Sequence, residues 1–202
     1  RPGFRGLRRP GRTSAASLPF PMTTSTSPSM SMTATDRLAC DIIRTCLDRS
    51  IGYGEALLKD IPADTFALMP HPTMNHPAFV VGHLSLYPHR MFRIIGRQDL
   101  VRERPGYEDL FKAGAPCLDD PARYPSKDDL VPYFLEGYRS LSTALETLSD
   151  DVLARENPME GRMRELFPTI GKALNFMANN HVMMHLGQIS AWRRAVGLPS
   201  AM

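Results

Sequence analysis

From Asp36 to the C-terminus the apolar residues recur at intervals of three and four, and the two-residue alternation of a half-buried strand is absent. This periodicity restricts the chain to an all-α fold. A first helix is expected from a cap at Thr35 through about Lys59, with Ile43, Cys46, Tyr53 and Leu57 on one face. A second is expected to begin at a cap on Asn75, with Pro77 in its first turn, where a missing N–H costs little. Its stripe is Val80, Leu84, Tyr87, Met91 and Ile94, and Pro88 should kink or break it near Leu84. Ser126 and Asp129 form a capping-box-like start for a third helix, which runs to Leu148 on Leu130, Phe134, Leu141 and Leu145. A fourth spans about Pro168 to Val196 and stops at Gly197, with Pro199 beyond.

Four amphipathic segments of roughly 20 residues, each about 30 Å long, suggest a four-helix bundle. Residues 97–125, with four prolines and two glycines, form a long crossover between the second and third helices. Antiparallel neighbours need only a few linking residues, so this length implies a parallel pair and an up-down-down-up order.

Charge excludes one class of partner. The chain carries 24 basic and 21 acidic residues, but Arg1, Arg5, Arg8, Arg9 and Arg12 precede the first acid, Asp36, leaving 19 basic residues to 21 acidic. No basic stripe remains for nucleic acid. Residues 1–35, rich in Arg, Ser, Thr and Pro and without an acid, read as a disordered extension before a bundle domain over 36–202. The chain does not begin with Met, while Met22, Met30 and Met32 precede the first helix, so part of the extension reads as upstream of the native start; a transit peptide is the alternative. Three cysteines without a CxxC pair argue against a disulfide framework or thiolate zinc site and fit a reducing cytoplasm. No run approaches the roughly 18 apolar residues that span a bilayer.

Polar residues interrupt the apolar seam of the fourth helix, which runs Ile170, Leu174, Met177, His181, Met184 with His185, Gln188, Trp192 and Ala195 with Val196. His181 and His185, at i and i+4, project from one face as two imidazoles sharing a cation would. An HxxxH pair also arises by chance, with each ring satisfied by hydrogen bonds alone. His83, on the apolar stripe of the second helix, shifts the balance, because three buried imidazoles without a shared partner each carry a desolvation cost. Three histidine ligands leave a coordination position open, as at a catalytic site, and zinc, nickel and iron(II) all accept imidazole.

Gln188 continues the line one turn further as a candidate supporting residue, and Asn179 or Asn180 could orient a ligand or water. His71 and His76 read as solvated or capping, and His89 as a surface or rim residue. Cys40 and Cys46 should pack within the first helix, Cys117 is an isolated loop thiol, and Met177, Met183 and Met184 read as core filling. No carboxylate stands beside the histidines as a general base.

The segments NHPAFVVGHLSLYPHR and HVMMHLGQISAWRRAVGLP, with YEDLFKAGAP, DDPARYPSKDDL and LSDDVLA between them, resemble the DinB-like (damage-inducible) superfamily over about Asp36 to the end. The resemblance implies an up-down-down-up bundle, often a homodimer, with one divalent metal held by His83, His181 and His185. Some members are thiol-dependent S-transferases or isomerases that use bacillithiol or mycothiol. It thus implies a metal-dependent enzyme acting on a small-molecule substrate, by S-transfer with a low-molecular-weight thiol or by hydrolysis. The absence of a base favours the thiol. The rival expectation is a non-catalytic bundle that binds metal or a small molecule in a stress-related interaction role.

Overall fold

Hydrophobic periodicity sets the architecture: in the computed structural model, which describes residues 34–201, the ordered elements are helical, and no strand occurs among the described residues. A 3-10 turn, Ala34–Arg37, leads into α1, Leu38–Leu58. The chain continues through α2, Pro77–Ser85, and α3, Tyr87–Ile94. The crossover contains one short helix, α4, Tyr107–Phe111. Beyond it come α5, Lys127–Leu145, α6, Asp150–Ala154, and α7, Arg162–Leu166. The last long segment is α8, Ile170–Asn175, a π-helical turn, Phe176–Asn180, and α9, His181–Ala195. The disordered extension expected over 1–35 lies outside the described residues, except that Ala34 and Thr35 belong to the 3-10 turn.

Both α1 and α2 pack against α5 and against α9, and α3 leans on α5. The core between them includes Leu47, Leu57, Phe134, Tyr138, Leu141, Leu186 and Trp192, each at most 1% exposed. On α1 the buried line is Cys40, Ile43, Leu47, Ile51 and Leu57. Cys46 is exposed and Tyr53 only half-buried, so both lie off the face expected for them. Cys40 is fully buried, and burial together with the Asp150 carboxylate pushes its thiol up to about 12, which makes it a packing group and not a nucleophile.

Helix ends differ from expectation where a distant side chain takes over. The N–H groups of Ala39 and Cys40 donate to the Asp150 carboxylate at 2.9 and 3.0 Å, so α1 is capped from α6, while the cap expected at Thr35 rests on a side chain outside those described. For α2 the cap is His76, not Asn75: its Nδ1 accepts from the Phe79 N–H at 3.2 Å, and its Nε2 donates to the Leu118 carbonyl at 3.2 Å. Ser126 caps α5 as expected, accepting from the Asp129 N–H at 3.1 Å.

Pro88 divides the second helix. It has no N–H to give the Leu84 carbonyl four residues back, and the helix breaks at Leu86. The buried Tyr138 hydroxyl donates to that carbonyl at 3.1 Å, so the break leaves no buried acceptor unmet. Of the kink or break expected at Pro88, the chain takes the break, as two short helices with a satisfied joint.

Candidate metal centre

Two elements bring the histidines together: α2 supplies His83, and the first turn and a half of α9 supplies His181 and His185. His83 Nε2 lies 3.3 Å from His181 Nε2, and His185 Nε2 lies 3.1 Å from the same atom. One ligand atom from each ring falls within 4.8 Å of the other two. His83 and His181 are buried, and His185 is half-buried on the open side.

Hydrogen bonding fixes the ring faces. His83 Nδ1–H donates to the Phe111 carbonyl at 2.7 Å, and a carbonyl can only accept, so Nε2 of His83 presents a lone pair. His185 Nδ1–H donates to Gln188 Oε1 at 3.0 Å, with the same result at its Nε2. His181 stands between two lone pairs and can offer a proton to one of them. Its own Nδ1 is buried without a partner, so neither tautomer satisfies both of its nitrogens. The cluster therefore fits a shared electrophile better than a hydrogen-bond network, which is the chemical test for a cation.

The electrostatics point the same way. Burial, with His185, His83 and Arg90 adding to it, pulls His181 down to about 3. Burial also lowers His83 and His185. All three rings stay neutral at physiological pH, the state in which imidazole is a ligand. The Tyr87 ring packs 4.0 Å from His181 and 5.2 Å from His83, and the Arg90 guanidinium lies 4.9 Å over Tyr87. Arg90 in turn donates to both carboxylate oxygens of Glu108, at 2.7 and 3.0 Å.

The crossover thus closes the site through α4: Phe111 orients His83, and Glu108 holds Arg90. The sequence reading passed over these groups. Tyr87 and Arg90 follow His83 at i+4 and i+7, a spacing that could have marked them, whereas a backbone carbonyl at Phe111 leaves no side-chain signal. Glu108 is a carboxylate near the site, but one committed to Arg90.

The remaining candidates separate. Gln188 contacts His185, although it is exposed and not on a central seam. Asn179 faces α1, donating to the Ile43 carbonyl at 3.4 Å, so it is not directed at the histidines, and Asn180 is exposed. Met177 is core, but Met183 and Met184 are 44% and 60% exposed. The buried line of α9 runs instead through Val182, Leu186, Ile189 and Trp192, which sets the histidines at its edge. A π turn immediately before His181 was not legible from periodicity, and such turns recur at functional sites.

His71 is exposed as expected and pairs with Thr73. His89 is not a rim residue: it is 2% exposed, its Nδ1 accepts from the Arg102 N–H at 3.2 Å, and its Nε2 meets the Tyr133 hydroxyl at 2.6 Å.

Burial lowers His76 and His89 from the ordinary 6.5 as well. For a histidine depressed in the folded state the unfolded chain binds the extra proton, so stability is complete above about pH 6.5 and declines as pH falls through the window below it. The depressed carboxylates Asp60 and Asp150 titrate below that window. Melting of the metal-free protein should therefore move several degrees lower between pH 7.5 and 5. A melting temperature constant over that range would contradict these neutral buried rings.

No helix among the described residues is long and apolar enough to cross a membrane. Comparison with curated proteins finds no match. The family model described as the DinB superfamily matches residues 47–189, more than half of the chain and a span that contains all three histidines, so the chain belongs to the DinB superfamily.

Proposed function

We propose that the protein is a metal-dependent enzyme in which Nε2 of His83, His181 and His185 hold one divalent transition metal, zinc, nickel or iron(II). The observation that carries this reading is the pair of oriented Nδ1–H donors, on Phe111 O and Gln188 Oε1, which leaves lone pairs converging on His181. When bound, such a cation would supply Lewis acidity that lowers the pKa of a water or thiol at neutral pH. The chain's own groups do the rest. Phe111 and Gln188 orient rings, Tyr87 and the packing of α2 exclude water from one side, and the half-buried His185 leaves the other side accessible.

Transfer of a low-molecular-weight thiol to an electrophilic small molecule is the reaction class we favour over hydrolysis. It is supported by the absence, among the described residues, of a free carboxylate in contact with the histidines, since hydrolysis calls for a base to work on water. The family resemblance supports a homodimer and, with the long crossover, the up-down-down-up order, and the three cysteines without a CxxC pair support a cytoplasmic setting.

Elemental analysis of protein purified without an affinity tag should find about one equivalent of transition metal, as expected for a single three-histidine site. His83→Ala and His181→Ala should each lose it. Metal retained by both variants would remove the ligand assignment. Metal-loaded protein inert toward every pairing of small thiols with electrophiles would leave the site and overturn the transferase, favouring a non-catalytic binding role.

A further inference from the structure

The crossover builds a second concavity whose lining does not include the three histidines. It lies between α3 and residues 103–109 and encloses about 540 Å3, within the range of small-molecule sites. Three guanidiniums and three carboxylates line it. Arg93 donates to both oxygens of Glu103 at 2.7 and 2.6 Å, Arg90 is paired with Glu108, and Asp109 is held by Lys112 at 3.3 Å.

Arg104 is different. No carboxylate among the described residues pairs with it. Its guanidinium lies 4.3 Å over the Tyr133 ring and 5.6 Å from the centre of Tyr107, and Nη1 donates to the Tyr107 hydroxyl at 3.1 Å. The Tyr133 platform is itself fixed, its hydroxyl donating to the Arg102 carbonyl at 2.9 Å and meeting His89. Stacking holds a guanidinium in plane and leaves its edge N–H groups, here Nε and Nη2, for a forked pair of hydrogen bonds to an anion.

We propose that this cleft binds a small organic monocarboxylate anchored on Arg104. Pairing selects the anion: Arg90 and Arg93 are each held by a carboxylate and Asp109 by Lys112 from outside the lining, so Arg104 is the guanidinium of the cleft left for a ligand, and a monocarboxylate matches its single charge. A phosphate dianion would overcompensate it beside Glu103, Glu108 and Asp109. Pro105, exposed on the same lining, offers apolar surface that the body of such an acid would cover. The site uses none of the three histidines, so the proposal stands or falls apart from metal binding.

The test is a titration of the full chain, 15N-labelled, with phenylacetate, with 2-phenylethanol as a neutral analogue of similar shape, and with inorganic phosphate. Phenylacetate should shift the Gly106 and Tyr107 amide resonances saturably, and the alcohol should bind at least about tenfold more weakly, as loss of a charge-assisted fork implies. Arg104→Gln should weaken phenylacetate by a similar factor while leaving the remaining spectrum intact, and His181→Ala should leave the affinity unchanged. Equal binding of the alcohol, full affinity in Arg104→Gln, or saturation by phosphate without response to phenylacetate would each overturn the assignment.

Discussion

Gly82→Ala should lower the melting temperature by about 5 °C and weaken metal binding by about tenfold or more, although alanine is the better helix former. A Cβ at residue 82 would stand 2.3 to 2.5 Å from three atoms of the Phe111 ring, well inside contact distance. Phe111 is fully buried, against Phe79, Tyr107 and Tyr124, so its ring cannot simply swing into solvent. Overpacking of this kind costs about 1–3 kcal/mol, against a gain of up to about 1 kcal/mol in helix propensity. The effect reaches the site because Phe111 carries the carbonyl that orients His83. Gly52→Ala is the control: nothing lies within 4 Å of its added Cβ, and it should stabilise α1 slightly and leave metal affinity alone. Unchanged melting and metal affinity in Gly82→Ala would show that the Phe111 contact does not position His83.

How much of this was legible in the sequence follows from what each signal measures. Helical periodicity reports which residues face inward, so α1, α5 and the outline of the last segment were readable, and the HxxxH spacing with His83 located the three-histidine cluster. A periodic pattern cannot report an interaction closed by a residue fifty or a hundred positions away. The Asp150 cap on α1 and the Tyr138 hydroxyl that meets the carbonyl freed by Pro88 were therefore invisible.

Phase is the second limit. An error of one position for Cys46 and of two for Met184 turns them inward on paper, and both are exposed. His89 failed for the opposite reason. It lies off the α2 stripe, but the break at Leu86 gives α3 its own face, and Tyr133 from α5 covers it. The supporting groups of the site were missed because two of them are a backbone carbonyl and a carboxylate on the crossover, where sequence carries no period.

Arg193→Leu should cost about 3 kcal/mol of folding free energy, because one buried guanidinium joins three parts of the chain. Its side chain is 2% exposed, and it donates to the Leu57 carbonyl at 2.7 Å, to the Pro199 carbonyl at 2.9 Å and to both oxygens of Asp60. The end of α1, the turn after it and the segment beyond α9 thus meet on a single residue. Leucine fills comparable space but leaves two carbonyls without their donor. Asp60 loses less, since its side chain is about half exposed and regains water. Asp60→Asn should accordingly be the milder change, about 1 kcal/mol, because Arg193 keeps both carbonyl acceptors. Arg193→Lys should fall between the two, as an ammonium reaches one acceptor well but cannot fork. Urea unfolding of the three variants would rank them, and a loss below about 1 kcal/mol for Arg193→Leu would mean that solvent replaces the guanidinium. Arg193 sits two turns beyond His185, and Trp192 beside it donates to the Leu68 carbonyl at 2.8 Å, which holds the far end of α9 independently. Metal stoichiometry should therefore survive Arg193→Leu in the folded protein, separating what fastens the bundle from what aims the histidines.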